Sequence, residues 1–244
     1  MMTGTKTCGC PAPGTATDDV LIDLIVGQVK LALGSRAGDQ RPSLRSPGGR
    51  ALIPLGVSNR HIHLTEGTFR RLFGAQTPFE SMRPLYQPGE FASKHTLAIA
   101  GPKLRTIPGV RILGPLRKYD QVEVSLTDAI FLGIDPPVVN SGTLDNAAPL
   151  TLIGPNGSVY LEKCAIVASR HIHMPTSDAR ALGVADGDYC RVRVGGEKPT
   201  VFENVLIRTN DNWLLQIHLD TDDANAANIR EDAAVEFLGK MEAR

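Results

Sequence analysis

Ser58-Asn59-Arg60-His61-Ile62-His63-Leu64 and Ala168-Ser169-Arg170-His171-Ile172-His173-Met174 carry the same Arg-His-Ile-His motif, about 110 residues apart. The 244-residue chain has only six histidines, and these two motifs hold four of them. Residues two apart on an extended strand point to the same face. Each motif therefore presents two imidazoles side by side and turns its Ile the other way. Neutral imidazole is the commonest protein ligand for zinc and similar ions. Two such pairs in a histidine-poor chain predict two metal half-sites on an internally duplicated, strand-built scaffold.

The sequence around the motifs has the same strand character. There are 24 glycines and 17 prolines, few aromatic residues, and short runs rich in Val, Ile and Thr. That mixture favours many short strands joined by turns over long helices. Ala51–Val57 leads into the first motif, and Ala165–Ser169 into the second. Further strands are expected near His95–Ala100, Arg105–Leu113, Val122–Leu126, Leu150–Ile153, Ser158–Leu161, Asp188–Val194, Val201–Ile207 and Trp213–His218. Short helices are expected at Thr65–Phe73 and Pro175–Leu182, one after each motif, while Phe79–Leu85 is of uncertain type. Strands so spaced point to a mainly β fold, with β-barrels and short capping α-helices.

The first fifty residues read differently. Residues 1–17 are poor in apolar side chains and expected to be disordered. Thr17-Asp18-Asp19 reads as a helix start, and apolar residues from Val20 to Leu33 recur at helical spacing until Gly34-Ser35. Residues 34–50 have the Gly, Pro, Ser and Arg composition of a linker. An amphipathic helix over about 18–33 on such a tether suits docking on a partner. Lys30 is its only basic residue, which argues against a membrane surface.

Lys plus Arg balances Asp plus Glu at 26 each, so no global charge favours nucleic acid or anionic membranes. No signal-peptide core and no transmembrane stretch are expected. Cys8 and Cys10 lie in the polar tail, whereas Cys164 and Cys190 lie in separate apolar strands. Free thiols in a reducing compartment are the expected state.

Each imidazole pair needs a third ligand. Glu123 alternates with Val122 and Val124, and His218 alternates with Ile217 and Leu219, while His95 competes as the sixth histidine. Three protein ligands leave coordination open for substrate. Arg60, Arg170 and Arg117 are candidates for bidentate binding of an oxyanion such as phosphate. There is no Walker A loop, no GxGxxG after a strand and no GxSxG. The residues alone thus point to a two-metal site with open coordination and an anionic substrate. Hydrolysis of a phosphate ester or peptide and activation of an acyl carbonyl beside a held thiolate both remain open.

The run Ile53-Pro54-Leu55-Gly56-Val57-Ser58-Asn59-Arg60-His61-Ile62-His63-Leu64 resembles the phosphate propanoyltransferases (PduL-type phosphotransacylases) of bacterial microcompartments. So do Gln87-Pro88-Gly89, Leu113-Gly114-Pro115-Leu116-Arg117, Gln121-Val122-Glu123-Val124-Ser125, Ser141-Gly142, Ala168–Met174 and His218–Ala227. The resemblance covers about residues 51–238 in order. It implies two β-barrels over residues 51–156 and 157–244, with the first strand completing the other barrel, after an N-terminal region spanning residues 1–50. It implies conversion of a short acyl-CoA, propanoyl-CoA favoured, plus phosphate into acyl phosphate plus CoA, with two Zn2+ per chain.

By that resemblance His61, His63 and Glu123 hold one zinc, which faces the CoA sulfur, and His171, His173 and His218 hold the other. Arg117 handles phosphate, with Ser141 on the phosphate side. Direct attack by phosphate is expected, since no residue stands out as a covalent nucleophile. The helix over about 18–33 would be an encapsulation peptide, docking on shell or core proteins of a microcompartment, and the chain a homodimer in its lumen. Two rivals compete, a dinuclear zinc hydrolase of a thioester or phosphoester and a structural protein that uses zinc for stability. The chain departs from the family pattern at His95 and Asp223, where Glu or Gln and Glu are usual.

Overall fold

The computed structural model describes residues 51–229, 233 and 235–242. The expected helix over residues 18–33, its linker, Cys8 and Cys10 lie outside the described residues.

Two sheets account for the strands. The first contains β3 (His61–His63), β4 (Ser81–Pro84), β5 (Phe91–Ala100), β6 (Thr106–Gly114), β7 (Gln121–Glu123), β8 (Val138–Val139), β9 (Ala148–Gly154) and β10 (Gly157–Ala168). The pairings β5-β6-β3-β7-β10-β9 return to β5, so six strands form a ring, with β4 and β8 attached outside it. The second sheet contains β1 (Leu52–Ile53), β2 (Leu55–Ser58), β11 (His171–Met174), β12 (Tyr189–Val194), β13 (Thr200–Thr209), β14 (Gln216–Asp220) and β15 (Val235–Lys240), in the order β1-β15-β12-β13-β11-β14-β2. Its two ends are joined covalently through Pro54, which has no N–H to give to a ladder. Closure leaves few strand edges exposed.

The chain therefore changes barrel twice in the middle of its strand runs. β2 pairs with β14 of the second barrel, and after Asn59-Arg60 the chain enters the first barrel as β3. β10 stays in the first barrel, and after Ser169-Arg170 the chain enters the second as β11. The boundary expected at 156/157 instead falls at the hairpin between β9 and β10, and the sheet changes only after Ala168. A bulge between Leu161 and Ala165 disrupts the alternation there, so one strand reads in the sequence as two.

The repeat seen in the sequence holds at the level of register. β3 runs parallel to β6 and antiparallel to β7, and β11 runs parallel to β13 and antiparallel to β14. His61 faces Glu123 and His63 faces Gln121, while His171 faces His218 and His173 faces Gln216. Ile62 and Ile172 are fully buried in the separate cores of the two barrels, as the alternation predicts.

Short helices cap the barrels. α1 (Glu66–Phe73) and α3 (Thr176–Leu182) follow the two histidine strands, close to expectation. α2 (Leu126–Leu132) and α4 (Thr221–Ala226) follow β7 and β14, and sequence periodicity did not expose them. The strand expected at Val122–Leu126 ends early because Ser125 accepts the Asp128 N–H and the Asp128 carboxylate accepts the Ser125 N–H. That reciprocal cap starts a helix within an apolar run. Asp220 likewise caps α4 by accepting the Asp223 N–H at 2.8 Å.

Candidate metal and substrate centre

The first group of polar side chains lies on β3 and β7. Ligand atoms of His61, His63 and Glu123 all lie within 4.8 Å of one another. His61 Nδ1 lies 2.9 Å from the Asn59 carbonyl, which can only accept, so this nitrogen carries the proton. Its Nε2 therefore keeps a lone pair when neutral, and it lies 3.5 Å from Glu123 Oε2. Buried His63 Nδ1 has no hydrogen-bond partner. Burial, with smaller contributions from His61 and Arg117, pushes the His63 pKa well below the usual imidazole range. The other Glu123 oxygen accepts from Gln121 Nε2 at 2.7 Å. The same amide nitrogen donates to Ser141 Oγ at 2.8 Å, and Gln121 Oε1 accepts the Gly142 N–H at 2.7 Å. Fully buried Gln121 thus fixes the carboxylate and brings Ser141 beside it.

The second group repeats the plan with one substitution. His171, His173 and His218 also have ligand atoms within 4.8 Å of one another. His171 Nδ1 donates to the Ser169 carbonyl at 2.8 Å, as His61 does to Asn59. Both ring nitrogens of His173 and Nε2 of His218 are buried without a partner. Burial lowers the pKa of His171, takes His218 well below the usual range, and holds His173 at about 3. Trp213 packs on His173 with ring centroids 4.2 Å apart.

Buried polar atoms without partners are rare in folded proteins. Among the described residues, all but Arg83 Nε belong to imidazoles that burial keeps neutral, and these lie in two converging sets of three donors. Nitrogen and carboxylate donors so arranged fit a divalent zinc-like cation with a coordination position left open. A small, partly open pocket touches both groups, lined by His61, Glu123, His171 and His218 and by both barrel crossings.

The arginines divide. Arg60 donates to Asp128 at 2.9 Å, and Arg170 forks onto Asp223 with two 2.8 Å bonds. Both side chains are thus committed to the helices that follow the third-ligand strands rather than to an oxyanion. Arg117 approaches Tyr119 Oη at 3.1 Å and Glu90 at 3.4 Å on the His63 side. His95 joins neither group. It packs among Phe69, Phe73 and Phe79, and its Nε2 lies 2.9 Å from the Pro78 carbonyl. Cys164 and Cys190 are buried free thiols, and burial pushes both up to about 12.

Sequence reasoning gave no structural role to Gln121, Asp128 and Trp213, and marked Asp223 only as a departure from the family pattern. Gln121 had a usable signal, since it shares the face of Glu123 two residues earlier on the same strand. The Asp partners had none, being 68 and 53 residues from their arginines.

Among the described residues, no helix is long and apolar enough to cross a membrane. The phosphate propanoyltransferase family model matches residues 54–230. A phosphate propanoyltransferase of Lachnoclostridium phytofermentans is 48% identical over 177 residues, covering 72% of this chain and 83% of its own. Its counterpart in Rhodobacter capsulatus is 44% identical over 215 residues, covering 88% and 95%. That of Rhodopseudomonas palustris is 41% identical over 224 residues, covering 92% of this chain and 97% of its own.

Proposed function

The chain belongs to the phosphate propanoyltransferase family and is a phosphotransacylase, and from that premise we propose a zinc-dependent transfer of a short acyl group, propanoyl favoured, between CoA and phosphate. The observation that carries the zinc reading is the set of buried, partnerless imidazole nitrogens in two converging groups. His61, His63 and Glu123 would hold one zinc, and His171, His173 and His218 the other. When bound, the ions supply a soft Lewis acid for the CoA sulfur and positive charge for phosphate.

The residues of the chain do the rest. Asn59 and Ser169 fix which nitrogen of His61 and His171 bears the proton. Gln121 orients Glu123 and holds Ser141 at the rim of the first group, where the hydroxyl proton remains available to a phosphate oxygen. Arg117 makes two contacts with protein and keeps other N–H donors for phosphate. A phosphate oxygen attacks the thioester carbonyl carbon directly, the C–S bond breaks, and CoA leaves as thiolate while acyl phosphate forms. The chain would work in a microcompartment lumen, with the helix over residues 18–33 docking on shell or core proteins. The long match to the Rhodopseudomonas palustris relative, which extends past the family model, supports a shared N-terminal region. A homodimer would cover the exposed Ile130 and Phe131 of α2.

The test is CoA release from propanoyl-CoA with and without phosphate, followed by zinc analysis of His61→Ala and His171→Ala. Release should require phosphate and yield acyl phosphate, and each variant should lose about one zinc per chain and its turnover. Equal release without phosphate would make the protein a hydrolase. Two zinc ions retained in either variant would overturn the ligand assignment.

A further inference from the structure

We propose that Arg208 grips the phosphoryl group of the substrate at the second histidine group, opposite Arg117. This rests on the phosphotransacylase reading above and assigns to its phosphate a contact that the duplicated motifs do not reveal.

Arg208 lies on β13 in direct register with His173 of β11. Paired residues on neighbouring strands project to the same face, so the guanidinium stem rises beside the imidazole. Its guanidinium lies 5.5 Å over the ring of Trp213, and that ring packs 4.2 Å from His173. Stacking on an aromatic face fixes the plane of the fork while leaving its edge N–H groups free to take an oxyanion in bidentate fashion. The positive charge is felt throughout the group, since it helps to lower the pKa of His171, His173 and His218.

Among the described arginines paired with, or next to, the histidine strands, Arg208 alone has neither a carboxylate nor a carbonyl to answer it. Arg60 has Asp128, Arg170 has Asp223, and Arg117 has Glu90. Arg111, facing His61, is spent on the Ser93 and Lys94 carbonyls. Among the described residues Arg208 forms no ion pair, although it stands half-buried beside three imidazoles suited to a dication. A cation kept beside a cation site is repelled unless an anion completes the set, and phosphate is the anion this reaction requires.

The Tyr86–Glu90 loop ties the two arginines together. Gln87 makes a two-way amide pair with the Leu214 backbone, at 3.0 Å each way, next to Trp213. Glu90 at the other end of the loop meets Arg117. Arg117 and Arg208 are thus joined by one short loop, each beside the second histidine of its motif.

The test uses the full-length, zinc-loaded protein with Arg208→Gln and Arg208→Lys. Trp213 is the only tryptophan, so its fluorescence reports binding at this place without turnover. Titration with inorganic phosphate should show a Kd raised at least about tenfold in Arg208→Gln and less in Arg208→Lys. The KM for phosphate should rise in step, while the KM for CoA and the zinc content stay as in the parent. A risen CoA KM with unchanged phosphate KM would assign Arg208 to the CoA diphosphate and overturn the proposal. So would unchanged phosphate affinity, or loss of zinc from Arg208→Lys. If the parent protein made no acyl phosphate, the phosphotransacylase reading would fall, and the fluorescence titration would still decide whether Arg208 binds phosphate.

Discussion

Replacing Gln121 with Leu removes the buried amide that joins Glu123, Ser141 and Gly142. Leu fills most of the same space, so the change deletes hydrogen bonds rather than opening a large void. The bond to the Glu123 carboxylate is charge-assisted and sits at a residue only 9% exposed. Such a bond contributes about 1.5–3 kcal/mol, and the neutral bond from Gly142 adds about 1 kcal/mol. Metal-free Gln121→Leu should therefore be about 3 kcal/mol less stable than the parent. A ligand carboxylate that has lost its orienting partner also binds metal about 10–100-fold more weakly. The assays are urea unfolding of the metal-free chain and zinc competition against a chromophoric chelator. The second group is the internal control, because its third ligand is an imidazole without this amide. Parent-like unfolding together with parent-like affinity at the first site would refute the role given to Gln121. Equal weakening of both sites would refute its locality.

Arg170→Ala leaves the Asp223 carboxylate, 14% exposed, without its fork, and should cost about 1.5–3 kcal/mol in the same urea assay. Acid should destabilise the metal-free protein: His173 has a folded pKa of about 3 against an ordinary 6.5, so its stabilisation is present above the ordinary value and is lost as pH falls from there toward 3. At about pH 5 that single group removes about 2 kcal/mol relative to neutral pH, readable from urea midpoints, and a flat profile would contradict the buried neutral imidazole. A fragment of residues 169–242 should be unfolded by circular dichroism, whereas the same fragment with residues 51–58 joined after β15 through a short linker should fold. Ile53 and Leu55 are buried in that core at about 1.5–3 kcal/mol each, a loss comparable to the whole stability of a small domain.

The parts of this architecture that depend on neighbours in sequence were legible. The His-Ile-His alternation placed Ile62 and Ile172 in the cores and the imidazoles on the opposite face. The same alternation nominated Glu123 and His218, but gave no means of choosing between them and His95, because third ligands arrive by strand pairing. Gln121 and Trp213 take their roles from contacts across the fold. The strand expected at Trp213–His218 begins only at Gln216, because Gln87 pins Leu214 as a loop. Arg60 and Arg170 were legible as charges and illegible as clamps, their acids lying on helices hidden within apolar runs.

The two crossings explain why a duplicated motif became one centre. Each histidine strand begins two residues after the chain leaves the other barrel, and the carbonyl that fixes its first imidazole lies in the crossing itself. Each crossing is held by its arginine to the helix that follows the third-ligand strand, and Asp222 of α4 accepts the Thr127 N–H of α2 at 2.8 Å. Ligand geometry and barrel closure therefore depend on the same few residues. With that frame shared, a single register position separates the two groups, Glu123 in one and His218 in the other. A carboxylate ligand would cancel part of a dication's charge, whereas three neutral imidazoles would leave all of it to attract an anion. The all-imidazole group is also the one beside the uncompensated Arg208. On the proposed zinc reading, electrostatics would favour phosphate at the second group and would leave the first, with its lower charge, to the CoA sulfur.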